Sequence, residues 1–213
     1  MFYYNGYVGP DTRVIFHPHI PRTGGRFLEN LFKNSDLSPS HNDYSTKKEN
    51  VSIPHLDREL YEDYYDEEAL SLPSFTVVRN PITRFISAYR VTRDIHSLPD
   101  INTFVKELPE FYKKNPRSCD NFFTPQYKFV KRGMKIWKFE RGFGEDFCNW
   151  INKEFDMIFD KLLKYRSRSV LNKYHLDYKE KLYYENNCTV NDKLTNKSIL
   201  RLIRFYWRDY LIV

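Results

Sequence analysis

Apolar positions along the chain fall into short β-rich runs, each followed by a stripe at helical spacing. The first run, Val14 to Ile20, stops at Pro21 and the Gly24-Gly25 pair. It resumes with Phe27, Leu28, Leu31 and Phe32, which predicts a buried strand, a tight loop and a helix. The pattern recurs at Ser74 to Val78, a β-rich run that ends at Arg79-Asn80-Pro81. Ile82, Phe85, Ile86 and Tyr89 then form a second helical stripe, with the proline at the helix start where its missing N–H costs nothing. Further elements follow in order. Asp57 to Leu70 reads as a helix with a solvated acidic face, and Thr103 to Tyr112 as a helix. Lys135 to Glu140 reads as a third strand, and Gly144 to Phe155 as a helix with Phe147, Trp150, Ile151 and Phe155 on one face. Ser198 to Leu211 predicts a last helix with Ile199, Leu202, Ile203, Tyr206 and Tyr210 inward. Residues 1 to 12 read as a lead-in with turn signals at Gly6 and Gly9-Pro10, and Asn34 to Asn50 as a polar surface loop.

Length and charge narrow the picture. A chain of 213 residues fits one domain with a substantial core. No apolar run approaches the roughly 20 residues a membrane span needs. MFYYNGYVGP lacks the layout of a signal peptide, so a cytoplasmic location is expected. Cys119, Cys148 and Cys188 are odd in number, far apart and form no CxxC pair, which argues against a disulfide framework or a zinc site. The net charge is +6 although Asp57 to Glu68 carries seven acids against one arginine, so the rest of the chain is strongly basic. Such an excess suits an anionic ligand. Nucleic acid is disfavoured as that ligand, because the basic residues are dispersed and no helix-turn-helix, zinc finger or RNP-type aromatic motif is evident.

The two strand-ending loops carry the candidate chemistry. In the first, Arg22, Thr23 and Arg26 place two cations and a hydroxyl around the amides left free at a helix start, an arrangement that attracts phosphate. It is not a Walker A loop, which needs a lysine after its last glycine and a hydroxyl for magnesium. In the second, Arg79 stands at the carboxyl end of its strand, with Arg84, Ser87 and Arg90 on the following helix. Ligands of open α/β sheets bind at those ends, so Arg79 is expected on the same rim as Arg22.

Read as PRTGGR, the first loop resembles the 5′-phosphosulfate loop of the sulfotransferases, written PKTGGT in that family. FTVVRNPITRFISAYR resembles the family's 3′-phosphate motif, a strand followed by RxPxxRxxSxY, with Arg79, Pro81, Arg84, Ser87 and Tyr89 at matching positions. Both motifs stand in the family's order, and the resemblance covers residues 13 to 213, more loosely outside the two motifs. It implies an α/β, P-loop-NTPase-like three-layer fold, a central parallel sheet flanked by helices, forming a single domain over 1–213. It also implies 3′-phosphoadenosine 5′-phosphosulfate (PAPS) as donor, 3′,5′-ADP as product and no metal. By the same resemblance Pro21, Arg22, Thr23, Gly24, Gly25, Arg26 and Phe27 cradle the 5′ side, and Arg79 and Ser87 hold the 3′-phosphate. Arg84 is open between that phosphate and a structural carboxylate partner.

The remaining roles are also implied by the resemblance. Tyr165 to Tyr178 sits where related enzymes have a basic loop that closes over the nucleotide, with Arg166, Arg168, Asn172 and Lys173 as candidates. CDNFFTPQYKFV resembles the F-x-PQ segment of carbohydrate-type members, which makes a carbohydrate hydroxyl the expected acceptor and Gln126, with His41, a candidate contact to it. His55, in PHLDREL, resembles the histidine that serves as base in some heparan-type members; His41 and Glu59 are its rivals, and His17 and His19 alternate on the first strand. Arg22 replaces the family's lysine, and since a guanidinium holds its proton, its role is electrostatic. The alternatives are a catalytically silent nucleotide-binding protein and an ATP-using P-loop kinase.

Overall fold

The computed structural model describes residues 2–5, 14–25, 27–28, 32, 37–40, 47–155 and 193–213. The chain starts with a strand, β1 (Phe2–Asn5), in the stretch expected to be a lead-in. It lies between β2 (Val14–Phe16) and β3 (Leu37–Ser40) and pairs antiparallel with both, Phe2 opposite Phe16 and Asn5 opposite Leu37. β3 and the two-residue β4 (Lys47–Lys48) also fall inside the stretch expected as loop. β4 pairs with β5 (Val51–Ser52).

The parallel part of the sheet comprises β6 (Phe75–Val78) and β7 (Lys135–Lys138), in register from Phe75 opposite Lys135 to Val78 opposite Lys138. β2 joins it through a parallel bridge between Phe16 and Ser74, and the Phe16 N–H donates to Pro73 O at 3.0 Å. The first strand is shorter than the apolar run predicts. Pro18 has no N–H to give a ladder, and side chains take over: His17 Nδ1 bonds Phe75 O at 3.0 Å and the Thr76 hydroxyl donates to Pro18 O at 2.8 Å.

Alternation along β6 sends its side chains to two layers. Phe75 and Val77 pack with Ile15, Trp137, Leu28 and Phe32 of the helix α1 (described at Gly25, Phe27, Leu28 and Phe32), and Phe147 and Ile151 of α6 (Glu145–Phe155). On the other face Phe16 packs against α2 (Arg58–Tyr64), and Val78 against Ile20 and Phe129. Beside these layers α4 (Pro81–Thr92), α5 (Ile101–Lys114) and α7 (Asn196–Phe205) enclose an aromatic cluster of Phe85, Tyr89, Phe104, Phe123 and Tyr206. The result is a mixed α/β structure with a small parallel sheet flanked by helices.

Two predicted helices differ in detail. The acidic stretch is broken into α2 and α3 (Glu67–Ser71), because Asp66 serves better as a cap than inside a helix: its carboxylate accepts from Ala69 N. Asp57 caps α2 in the same way, and Arg117 reaches Asp57 at 3.4 Å, Glu59 at 2.8 Å and Glu49, so the acidic face is partly paired. The last helix ends at Phe205 and continues as a 3-10 turn, Trp207–Leu211. Three residues per turn instead of 3.6 rotate the register. Asp209 is therefore turned inward while Tyr210, expected inside, is 38% exposed; Ile203, within the α-helix and also expected inside, is 38% exposed as well.

Phe75 is fully buried, and its ring meets those of Phe32, Phe147, Trp150 and Phe155, with His17 stacked on it at 4.3 Å. Phe75→Ala is expected to lower the unfolding free energy by about 3–5 kcal/mol, the usual cost of deleting a buried phenyl ring. Urea denaturation checks this, and a loss under about 1 kcal/mol would mean that the layers do not meet at this ring.

Candidate functional site

The first loop leaves the sheet at His17 and turns between Pro21 and Gly24. Thr23 closes the turn by donating its hydroxyl to Ile20 O at 2.7 Å, and Arg22 takes a left-handed φ of 70°. The two glycines are required for different reasons. Gly24 has a φ of 93°, and a Cβ there would stand 2.8 Å from Phe143. A Cβ on Gly25 would stand 2.2 Å from His19 Nε2, so the imidazole fills the space a side chain would need. Leu28 N–H then donates to Gly24 O at 3.0 Å, so the amino end of α1 faces the loop.

The second loop is held from behind. Gln126 is fully buried; its Oε1 accepts from Arg79 N at 2.9 Å and its Nε2 donates to Arg79 O at 2.7 Å. Asn80 caps α4 by accepting from Ile82 N and Thr83 N, and its own N–H donates to Glu140 Oε1 at 2.6 Å. With its main chain fixed, the Arg79 guanidinium lies 4.5 Å from the Phe139 ring centroid, donates to Thr83 Oγ1 at 3.2 Å and to Arg22 O at 3.3 Å.

The two loops lie on one rim. Arg22 Nε donates to Ser87 Oγ at 3.0 Å, and Arg79 Nη1 bonds the Arg22 carbonyl. Arg84 forms no ion pair with a carboxylate among the described residues. Its buried guanidinium donates to Pro21 O, Thr124 O and Phe122 O at 3.0–3.1 Å, fastening the first loop to the 122–124 segment. Burial pulls Arg84 below the usual guanidinium value, and nearby Tyr206 and Asp209 oppose that shift. Asp209, also buried, accepts from Gln126 N and Tyr127 N at 3.0 Å. Burial raises its carboxyl above the ordinary range against the pull of those two bonds and of Arg84.

The third part of the site is the 3-10 turn Ile53–His55 and the segment it meets. His55 is 6% exposed, and its Nδ1 lies 2.7 Å from Asp120 Oδ2. Asp120 also accepts from Ser52 N at 2.6 Å and Ser52 Oγ at 3.0 Å, while Asn121 Nδ2 donates to His55 O at 3.0 Å. Burial would raise the Asp120 carboxyl, but the His55 and Ser52 bonds outweigh it and hold the group below its ordinary value. Cys119, Asp120 and Asn121 take φ of 52°, 55° and 61°, a strain of order 1–3 kcal/mol each for residues other than glycine, least for Asp and Asn. His19 bridges to the first loop: its ring is 5.3 Å from that of His55 and packs on Gly25. Burial keeps His19 neutral, and its buried Nδ1 has no hydrogen-bond partner among the described residues.

The predicted residues Pro21, Arg22, Thr23, Gly24, Gly25 and Phe27 thus share one loop and the start of α1, in contact with Arg79 and Ser87. His55 stands next to this group through His19. Gln126, expected as an acceptor contact, has its amide buried and bonded to the main chain of Arg79. Arg26, His41, Arg168 and Lys173 lie outside the described residues. Sequence reasoning missed Asp120, Asn121 and Glu140. The one local signal was the Cys-Asp-Asn run, since Asp and Asn accept left-handed backbone. Among the described residues no group of three or more His, Cys, Asp or Glu could hold a metal, and no helix is long and apolar enough to cross a membrane.

A family model described as "Sulfotransferase family" matches residues 6–212. No curated protein and no solved structure matches the chain significantly.

The buried imidazoles set an acid sensitivity. Burial lowers His17 to about 3 from 6.5, against the hydrogen bond to Phe75, and lowers His19 as well. The unfolded chain therefore binds more protons than the folded one below pH 6.5. Stability from these groups is fully present above 6.5 and falls as pH drops toward 3. Urea midpoints should decline between about pH 6.5 and pH 5, above the carboxylate range, and His17→Asn should flatten that decline at a cost in stability. An unchanged slope in the variant would show that His17 is not the group responsible.

Proposed function

Because the chain belongs to the sulfotransferase family, and so to the transferases that move sulfuryl groups, we propose that its donor is PAPS and its acceptor a carbohydrate hydroxyl. The observation that carries the donor assignment is the contact between the two strand-ending loops, Arg22 Nε on Ser87 Oγ and Arg79 Nη1 on Arg22 O. With one guanidinium on the Ser87 hydroxyl and the other on the main-chain carbonyl of Arg22, the two loops gather cations and a hydroxyl that suit a phosphate. The carbohydrate acceptor rests on the resemblance of the Phe122-Phe123-Thr124-Pro125-Gln126 segment.

Each residue then has a task. Pro21 to Phe27 cradle the 5′ side of the nucleotide, with Arg26 as a further cation. Arg79 and Ser87 hold the 3′-phosphate, Arg168 and Lys173 add contacts to the nucleotide, and His41 meets the acceptor. In the transfer the acceptor oxygen attacks sulfur, the bond from sulfur to the bridging phosphate oxygen breaks, and the acceptor's proton passes to a base. His55 is that base, an imidazole being suited to proton transfer near neutral pH. Arg22 stabilises the charge that develops on the departing phosphate without giving up its own proton. Gln126 contributes by fixing Arg79.

Calorimetry with 3′,5′-ADP and 5′-AMP tests this reading. Without magnesium, 3′,5′-ADP should bind, and Arg79→Ala should weaken it by about 10–100-fold, the range for a charge-assisted hydrogen bond, with little effect on 5′-AMP. The Gln126 clamp uses only main-chain groups of Arg79, so it survives the substitution. Equal losses for both nucleotides would remove the 3′-phosphate assignment, and binding of ATP only with magnesium would favour a kinase.

A further inference from the structure

The carboxylate of Asp120 has no part in the phosphate cradle, yet three hydrogen bonds converge on it. Oδ1 accepts from Ser52 N at 2.6 Å; Oδ2 accepts from Ser52 Oγ at 3.0 Å and lies 2.7 Å from His55 Nδ1. The hydroxyl and the imidazole converge on the same oxygen, and the main-chain amide holds the other, so the carboxylate cannot rotate away from the ring without giving up both Ser52 bonds. The ring is confined on its other sides as well. Phe122 meets it edge-on at 5.5 Å, His19 lies at 5.3 Å, and Asn121 holds the His55 carbonyl while accepting from Thr124 Oγ1 at 2.7 Å.

We propose that Asp120 is a positioning residue for His55, fixing the neutral imidazole with its proton on Nδ1 and its lone pair on Nε2. An ionised carboxylate can only accept, so a 2.7 Å contact to Nδ1 requires that nitrogen to donate. Burial works against the ionised form, while the His55 and Ser52 bonds work for it and prevail, holding the group below the ordinary carboxylate range. In a base, the nitrogen carrying the lone pair takes the proton, so the tautomer decides whether the ring serves as one. The proposal rests on His55 being the base.

Asp120→Asn isolates the carboxylate, because asparagine tolerates the left-handed φ of 55° and can still accept from Ser52 N. Its amide can now donate to Nδ1, which moves the ring proton to Nε2. Nitrogen-15 NMR of histidine-labelled protein at alkaline pH, with His55 assigned by loss of its signals in His55→Asn, reads the tautomer without any acceptor. The wild type should show a protonated Nδ1 and an unprotonated Nε2, and Asp120→Asn the reverse. Its affinity for 3′,5′-ADP should be unchanged, and turnover on a panel of glycan oligosaccharides should fall by about 10²–10⁴-fold, the span a positioned base contributes. Protonated Nε2 in the wild type overturns the proposal even if the variant does not fold. Full turnover in Asp120→Asn, with His55→Ala inactive, overturns it while leaving His55 as base. Full turnover in His55→Ala instead overturns the reading on which it rests.

Discussion

A buried guanidinium holds the candidate site together. Arg84 is 1% exposed, and its donors reach the carbonyls of Pro21, Phe122 and Thr124. A charge removed from water is tolerated only when its donors are taken up, and removing one side of such an arrangement leaves the other unsatisfied. The first loop and the 122–124 segment are therefore coupled: neither can shift without exposing a carbonyl or freeing a buried N–H. Asp209 and Tyr206, brought in from the end of the chain, lie close enough to favour the charged form.

From that anchor the constraint runs two ways. Toward His55 it passes through Thr124 and Asn121 to the Asp120 carboxylate. Toward Arg79 it passes through the Gln126 amide, itself held by Asp209. The side chains facing the rim are thus carried on main chain fixed from the opposite side. Charge stabilisation of this kind works best when the groups need no reorganisation as charge develops. His19 adds a steric constraint. Its imidazole takes the space beside Gly25, which couples the curvature of the first loop to the place of the ring next to His55.

Much of the fold was legible because local signals carried it. The β6–α4 unit follows from an apolar run, an asparagine cap and a proline at the first helical position. The departures have local causes that the periodicity hid. Asp66 competed as a cap and split the acidic helix, Pro18 ended a ladder early, and a tighter turn near Trp207 brought Asp209 inward in place of Tyr210. β1 escaped notice because four residues beside glycine and proline turn signals become a strand only when β2 and β3 flank them.

By itself the sequence determined which residue types stand at the two loops, and hence that glycines, guanidinia and a hydroxyl would follow β-rich runs. Turn chemistry and side-chain period act over a few residues, so they can be read one segment at a time. Only the tertiary structure decided that Arg84 binds carbonyls, that Gln126 serves Arg79, and that Asp120 meets a histidine 65 positions away. Those partners are chosen by which donors and acceptors remain unsatisfied once distant segments pack together, and no local pattern encodes that choice.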